Sequence, residues 1–366
     1  MKVAIEKELN LNKSNWKTVK FGDVVTEPKE STRDIVGDGF QHIVGLEHID
    51  TENIHLKRWM EVGGETTFSK VFRKGDVLFG RRRAYLKKAA LANFEGVCSG
   101  DITVFRTKSN LIPELLPFIV NNERFFDYAI KHSAGGLSPR VKFKDLANFE
   151  FLLPPKEEQK KLAELLWTMD DVVEKEKMTL EKLNIQKVVF IQNFLIKYKT
   201  GKRIFLGDIC RPRQWPTISS DEISDKGYLV YGANGIIGRY HSYNHKEQVI
   251  AICCRGANCG SIHLTEPESY VTGNAMCLDN LDEKRFLTKF LYYVLRNSSF
   301  KGVITGSAQP QIVREDLDKF KIYGIEMSEQ EKLIKSMNQF DRSSFVLSEK
   351  IESSQSLKKS LINQIF

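Results

Sequence analysis

From Lys156 to Tyr198 the chain contains neither Gly nor Pro, and its apolar residues return at alternating steps of four and three. The row runs Leu162, Leu166, Met169, Val173, then Leu180, Leu183, Phe190 and Phe194, with Glu176 and Lys187 as polar members. That spacing predicts one helix of about 40 residues, roughly 60 Å long at about 1.5 Å per residue, with a single apolar stripe. A shift of 171 residues gives the same row again: Leu333, Met337, Phe340, Ser344, Leu347, Ile351, Ser354, Lys358, Leu361 and Ile365. Pro154-Pro155 predicts where the first helix starts, and Ser328 with Glu331 predicts a capping box for the second. Two such helices in matched register predict an antiparallel coiled coil. The polar members Glu176, Lys187, Ser354 and Lys358 either fix register or mark where another protein docks.

The shift of 171 extends beyond the helices. Pro139-Arg-Val-Lys-Phe-Lys-Asp145-Leu146-Ala-Asn-Phe149 answers Pro310-Gln-Ile-Val-Arg-Glu-Asp316-Leu317-Asp-Lys-Phe320, and Glu158-Gln159 answers Glu329-Gln330. Phe21-Gly22-Asp23-Val24 also resembles Leu206-Gly207-Asp208-Ile209, but 117 residues separate Gly22 from Pro139 and only 103 separate Gly207 from Pro310. The ends of each copy agree while the middles diverge, as expected of one scaffold carrying two specificities. The expected fold class is α+β: two mixed α/β heads separated by two long antiparallel helices, an internal repeat of pseudo-two-fold character. The expected boundaries are 1–153 for the first head, 154–199 for the first helix, 200–325 for the second head and 326–366 for the second helix.

Within the heads, residues 71–79 and 248–254 read as strands leading into loops, 102–105 and 275–278 as strands after them, and 112–131 and 284–296 as helices. The net charge of +8 and the pI near 9.0 favour polyanionic partners. Arginine grips phosphate and reads guanine, while Asn and Gln read adenine. On these grounds the first head's DNA-contact residues are Arg81, Arg82, Arg83, Tyr85, Lys87, Arg140 and Lys142. Those of the second are Tyr231, Asn234, Arg239, Arg255, Asn258, Ser307, Gln309, Gln311 and Arg314. Gly232-Ala-Asn-Gly235-Ile-Ile-Gly238 has the wrong spacing for a nucleotide-binding loop and reads as a turn.

No phosphate-binding GxxxxGK[ST] loop, HExxH, GxSxG or His/Cys metal spacing occurs, and no nuclease-like acid cluster stands out. No catalytic or metal-binding residue is expected. The six cysteines read as buried free thiols. No apolar run of membrane length and no secretory leader occurs, so no membrane partner and a cytoplasmic location are expected.

The duplicated junction carries a resemblance. Leu153-Pro154-Pro155-Lys-Glu-Glu158-Gln159-Lys-Lys-Leu162, together with Gly306-Ser307-Ala-Gln309-Pro310-Gln311 and Tyr231-Gly232-Ala-Asn-Gly235-Ile-Ile-Gly238, resembles the specificity subunit of type I restriction–modification enzymes over essentially the whole chain. The resemblance implies two target-recognition domains, each reading half of a split sequence in double-stranded DNA, and helices that act as a ruler. It also implies docking of two methyltransferase subunits, which use S-adenosylmethionine, and through them of restriction subunits that use ATP and Mg; no cofactor is expected in this chain. The docking or coiled-coil positions are Glu158, Gln159, Leu162, Leu166, Met169, Leu180, Leu183, Glu329, Gln330, Leu333, Met337, Phe340 and Ile351. The second junction, Tyr323-Gly-Ile-Glu-Met-Ser328, departs by lacking Pro-Pro. A second reading is a coiled-coil scaffold with two protein-binding heads, which would show no salt-sensitive, sequence-dependent duplex binding.

Overall fold

The computed structural model describes residues 11–63, 66–198, 201–306 and 309–366. Contacts group the chain into two units: the residues up to Lys177 with Glu349–Phe366, and Met178–Ser348. Both boundaries fall inside the long helices, Lys156–Lys197 and Met327–Ile365, of 42 and 39 residues. The helices begin at equivalent points of the repeat. The Pro155 carbonyl accepts from the N–H groups of Glu158 and Gln159, and the Glu326 carbonyl accepts from those of Glu329 and Gln330. The capping box expected at Ser328 does not form the start. The helix already begins at Met327, so Ser328 lies inside the first turn and not at the capping position.

In the first unit the start of one long helix lies antiparallel to the end of the other. Asp170 accepts from Lys358 Nζ at 2.7 Å, and Glu176 lies 3.2 Å from Lys350 Nζ. In the second unit Lys187 pairs with Asp341, the rings of Phe190 and Phe340 lie 5.7 Å apart, and the Tyr198 hydroxyl donates to Glu329 at 2.6 Å. Asp170 and Asp341 are repeat mates, and so are Lys187 and Lys358. The same acid–base pair is therefore made twice, with the helices exchanging roles.

The first unit opens with Lys17–Lys20 paired antiparallel to Glu150–Leu153. One four-stranded sheet has the order Val25–Thr26, Ile102–Thr107, Val77–Gly80, Ala89–Leu91; the other has Met60–Glu61, His42–Val44, Gly96–Cys98, Lys70–Phe72. In the second unit Arg203–Phe205 pairs with Lys321–Tyr323. Its sheets are Arg211–Gln214, Ala275–Asp279, Ile250–Cys253, Ile262–Leu264, and Gly235–Tyr240, Tyr228–Gly232, Tyr270–Val271. Each second sheet holds one parallel pair, His42–Val44 with Gly96–Cys98 and Tyr228–Gly232 with Tyr270–Val271. The topology is thus shared, and Lys70–Phe72 is the added strand of the first unit.

Two expected elements are broken. The strand expected over 71–79 is two strands, because residues 73–76 turn: Gly75 has φ +93°, and the Asp76 carboxylate accepts the Arg73 N–H. The helix expected over 112–131 becomes Leu116–Val120 and Glu123–Lys131, with Asn122 capping the second by accepting from Arg124 N–H. Thr288–Arg296 forms the helix expected near 284–296.

Each core runs from a head onto both long helices. In the first unit Phe21, Phe79, Phe105, Phe125 and Phe126 join Leu162 and Leu166 at the start of one helix and Ile362, Ile365 and Phe366 at the end of the other. In the second, Ile250, Ile252, Phe286 and Phe290 join Ile191, Leu333 and Met337. Fully burying one such side chain stabilises by about 1.5–3 kcal/mol, so these contacts seat each head firmly. Close backbone approach adds a matched constraint: a Cβ on Gly22 would meet Ala147 Cβ at 2.7 Å, and one on Gly207 would meet Asp318 Cβ at 3.0 Å.

The repeated Gln adds a polar weld to this apolar seat. Gln159 is buried; its carbonyl accepts Ile112 N–H at 3.0 Å, and its amide donates to the carbonyls of Asn110 (3.0 Å) and Pro154 (2.9 Å). Gln330 does the same with Leu287 N–H (2.9 Å) and the carbonyls of Arg285 (2.7 Å) and Ile325 (2.8 Å).

Candidate nucleic-acid interface

Two loops of each head are knit together through the main chain. In the first head Arg83 N–H donates to Pro139 O (2.8 Å) and Val141 N–H to Arg81 O (3.0 Å), with β-bridges joining Arg82 to Arg140 and Ala134 to Arg140. In the second, Gly256 N–H donates to Pro310 O (3.0 Å) and Ile312 N–H to Cys254 O (3.0 Å), with bridges joining Arg255 to Gln311 and Thr305 to Gln311. These bonds equate Arg81, Arg82 and Arg83 with Cys254, Arg255 and Gly256. The turns match in conformation as well. Arg83 (φ +54°) and Lys87 (φ +48°) occupy the left-handed region where Gly256 (+83°) and Gly260 (+91°) stand in the second head. Holding Arg and Lys there costs on the order of 1–2 kcal/mol each. At the centre of each turn Tyr85 and Asn258 fall on the same position, and both are exposed.

Charge in the first head is organised around Asp101. Its carboxylate lies 3.2 Å from Arg82 Nη1 and accepts from Arg140 Nε at 2.8 Å, while Ser138 Oγ accepts from Arg82 (3.1 Å) and Arg83 (3.4 Å). Burial works to raise the Asp101 carboxyl, but the bonds from Arg140 and Arg82 outweigh it and hold it below the usual carboxylate range. The arginines keep 38% and 45% of their side-chain surface exposed, so they are positioned without being consumed. Arg81 is half-buried. Lys87 is drawn toward Glu52 (3.6 Å) and Glu123 (3.9 Å), which dilutes its charge, and Lys142 is exposed just before the short helix Phe143–Leu146.

In the second head Arg255, Asn258, Gln309 and Gln311 are exposed together on the loop pair. The glycine-rich stretch is a hairpin, Tyr228–Gly232 with Gly235–Tyr240, and its turn residue Asn234 accepts from Asn258 Nδ2 at 2.5 Å. Arg239 is exposed and donates to Gly227 O at 2.7 Å; Arg314 starts the helix Arg314–Asp318 and lies 3.4 Å from Asp318. Ser307 lies outside the described residues. Tyr231 is corrected: it is buried beside Val249, Ala251 and Val271, and its hydroxyl accepts Glu266 N–H at 3.1 Å, so it supports the hairpin from within. Sequence reasoning missed Asp101 and Ser138, which no local pattern connects to the arginines, together with the exposed Leu137 on the first head's loop and Ile236 and Ile237 on the hairpin strand Gly235–Tyr240.

Most of the docking or coiled-coil positions face inward, toward the heads and the facing helix. Gln159, Gln330, Leu162, Leu166, Leu333 and Met337 are buried inside their own units, and Ile351 is buried as well. Met169, Leu180, Leu183 and Phe340 are half-buried along the inward row. Glu158 is committed to Asn15 (2.7 Å) and Trp16 Nε1 (2.8 Å), and Glu329 to Tyr198 and Lys332. Among the outward apolar residues of the long helices, the most exposed are Met178, Ile185 and Ile196 on the first and Phe345 and Val346 on the second.

Among the described residues, His245, Cys277 and Asp279 bring possible metal ligands within 4.8 Å of one another. They are already satisfied as structure: His245 meets Asp279 (3.0 Å) and Asn244 (2.7 Å), and Trp215 Nε1 donates to Asp279 (3.1 Å). Burial also drives the Cys277 thiol well above its usual range. No helix among the described residues is long and apolar enough to cross a membrane.

The profile of the type I restriction modification DNA specificity domain matches residues 13–184 and again 198–355. The specificity subunit of the type I restriction enzyme EcoDI of Escherichia coli is 25% identical over 175 residues, which is 46% of this chain and 39% of that protein. The match thus spans well under half of that relative. A chain from a type I R-M system, solved to explain complex assembly and conformational transition, is 19% identical with a TM-score of 0.63 over 96% of this chain and 97% of that one. The S subunit of the type I restriction-modification system of M. genitalium is 16% identical with a TM-score of 0.60 over 98% of both chains. At these identities the structural likeness is one of fold. The two family matches cover nearly the whole length, and the chain belongs to the type I restriction–modification DNA specificity family.

Proposed function

We propose that this chain is the DNA-recognition subunit of a type I restriction–modification complex, each head reading one half of a split target. The observation that carries the proposal is the loop pair built twice on equivalent main-chain bonds, with Arg82 and Arg255 at one shared position and different residues around them. Arginines at the shared position supply phosphate affinity, and the variable residues Tyr85, Asn258, Gln309 and Gln311 supply selectivity. The chain performs no chemistry of its own. Methyl transfer from S-adenosylmethionine to adenine, and ATP- and Mg-dependent translocation and cleavage, belong to partner subunits. The helices hold the heads and dock the methyltransferase subunits, for which Met178, Ile185 and Ile196 on one helix and Phe345 and Val346 on the other are the most exposed apolar residues. Family membership favours this reading over a protein-binding scaffold.

The test is co-expression with the cognate methyltransferase followed by genome-wide mapping of methylated adenines. A motif split into two defined halves around a fixed gap is expected. A continuous motif, or no motif, refutes the proposal.

A further inference from the structure

We infer that Asn258, braced by Asn234, reads an adenine through its carboxamide in the half-site of the second head. The inference rests on the reading of that head as a DNA-recognition domain and goes on to name the residue and the base.

Both asparagines are held by rigid surroundings. Asn234 sits at the turn of the hairpin, and Gly235 beside it has φ +83° with its Cα packed on the His263 ring, which an added Cβ would meet at 3.3 Å. The loop that carries Asn258 is closed on itself: Cys259 N–H donates to Gly256 O (3.0 Å), Gly260 N–H to Cys253 O (2.8 Å) and Ser261 N–H to Asn258 O (2.9 Å). The loop is tied in turn to the second loop by Gly256 N–H to Pro310 O. Two separate elements therefore bring the two side chains together, and their 2.5 Å hydrogen bond restrains the rotation that an exposed asparagine otherwise keeps.

The remaining capacity of the amide sets the ligand. A carboxamide has two N–H donors and one carbonyl with two lone pairs. Asn258 spends one N–H on Asn234 and keeps the other N–H together with its carbonyl. One donor beside one acceptor matches the major-groove edge of adenine, which offers the N7 acceptor and the N6 amino donor. Guanine presents two acceptors there, so its O6 would face the Asn258 carbonyl. Arg255, three residues earlier and exposed, provides the neighbouring cation for the backbone. Tyr85 occupies the equivalent position of the first head and has no amide, so this contact is confined to one half-site.

The experiment uses the full chain co-expressed with its methyltransferase. Methylation maps are compared for the parent protein, Asn258→Ala, Asn258→Asp and Asn234→Ala, followed by competition binding between duplexes that carry adenine or guanine at the affected position. A bidentate amide–adenine contact is worth about 1–3 kcal/mol of discrimination, or roughly 5- to 150-fold. The expected result is a parent motif with adenine at one position of one half, relaxed by that factor in both Asn258 variants. Asn234→Ala should relax the same position by a smaller factor. The other half, unchanged, reports that the complex is folded. An unchanged motif, a change in the other half, or a uniform loss of methylation without relaxation at any one position each overturns the inference. If the parent protein itself yields no split motif, the proposed function fails first.

Discussion

Replacing Gln159 with Met tests whether the repeated glutamine is what fixes a head to its helix. Met fills nearly the same volume, so the change isolates polar pairing from cavity formation. It removes the three hydrogen bonds that Gln159 makes with Ile112 N–H and the carbonyls of Asn110 and Pro154. A hydrogen bond contributes about 1 kcal/mol net, and a buried donor left unpaired costs about 1–3 kcal/mol. The Ile112 N–H carries the full penalty, while the two carbonyls forfeit less, since a carbonyl with one of its two lone pairs unused is better tolerated than an unpaired N–H. The expected loss is about 3 kcal/mol. For a unit of this size that lowers its melting temperature by roughly 6–12 °C, at about 2–4 °C per kcal/mol. Urea denaturation followed by circular dichroism and by tryptophan emission measures it, since Trp16, Trp59 and Trp167 belong to the first unit and Trp215 to the second. Gln330→Met should cost the same within about 1 kcal/mol, because its three bonds are equivalent. A loss below about 1 kcal/mol in either variant would refute the account of these residues as welds.

Four further outcomes follow from the geometry. Lys358→Ala leaves the buried Asp170 with His55 as its remaining ion-pair partner and should cost about 2 kcal/mol, whereas Lys187→Ala, facing the half-exposed Asp341, should cost under about 1 kcal/mol; comparable urea midpoints would contradict this. Burial works to raise the Asp170 carboxyl, but the bonds from His55 and Lys358 hold it below the usual range. Its contribution is therefore complete above the ordinary carboxylate value and is lost as pH falls through the lower folded value; Lys358→Met should shrink that acid step in a stability–pH curve. Arg83→Gly relieves a left-handed residue while deleting a cation, so it should hold or raise the melting temperature by up to a few degrees yet weaken duplex binding and flatten its salt dependence. Tyr231→Phe should cost about 1 kcal/mol of stability through the lost Glu266 bond and leave DNA affinity unchanged, and a selective loss of affinity would contradict its buried placement.

The sequence made the helices legible because their signal is local and periodic. Gln159, Leu162 and Asp170 return unchanged at Gln330, Leu333 and Asp341, and all but the half-exposed Asp341 are buried. Their repetition reflected a shared way of seating a head, which sequence alone did not separate from a shared docking face. The sheets were only partly legible. Residues 71–79 look like one strand because nothing in the pattern weighs Gly75 and the Asp76–Arg106 pair, whose members stand 30 residues apart. The sequence shows that the loop at Arg81–Arg83 corresponds to the one that starts at Arg255, but not that Arg82 itself pairs with Arg255, because the frame there has slipped from 171 to 173 and the match lies in backbone bonds. Tyr231 was misplaced because a tyrosine next to a glycine-rich turn reads the same whether its ring points inward or outward.

The main-chain stitching of the loop pair has a consequence for how such a protein changes over generations. Bonds such as Arg83 N–H to Pro139 O, or Gly256 N–H to Pro310 O, depend on no side chain except that a residue other than proline must donate. Mutations at the loop tips can therefore accumulate without disturbing the seat on which the loops rest. On the proposed reading of the two heads, a lineage can drift from one target to another through intermediates that all fold, and it can alter one half of its target while the other half stays as it was.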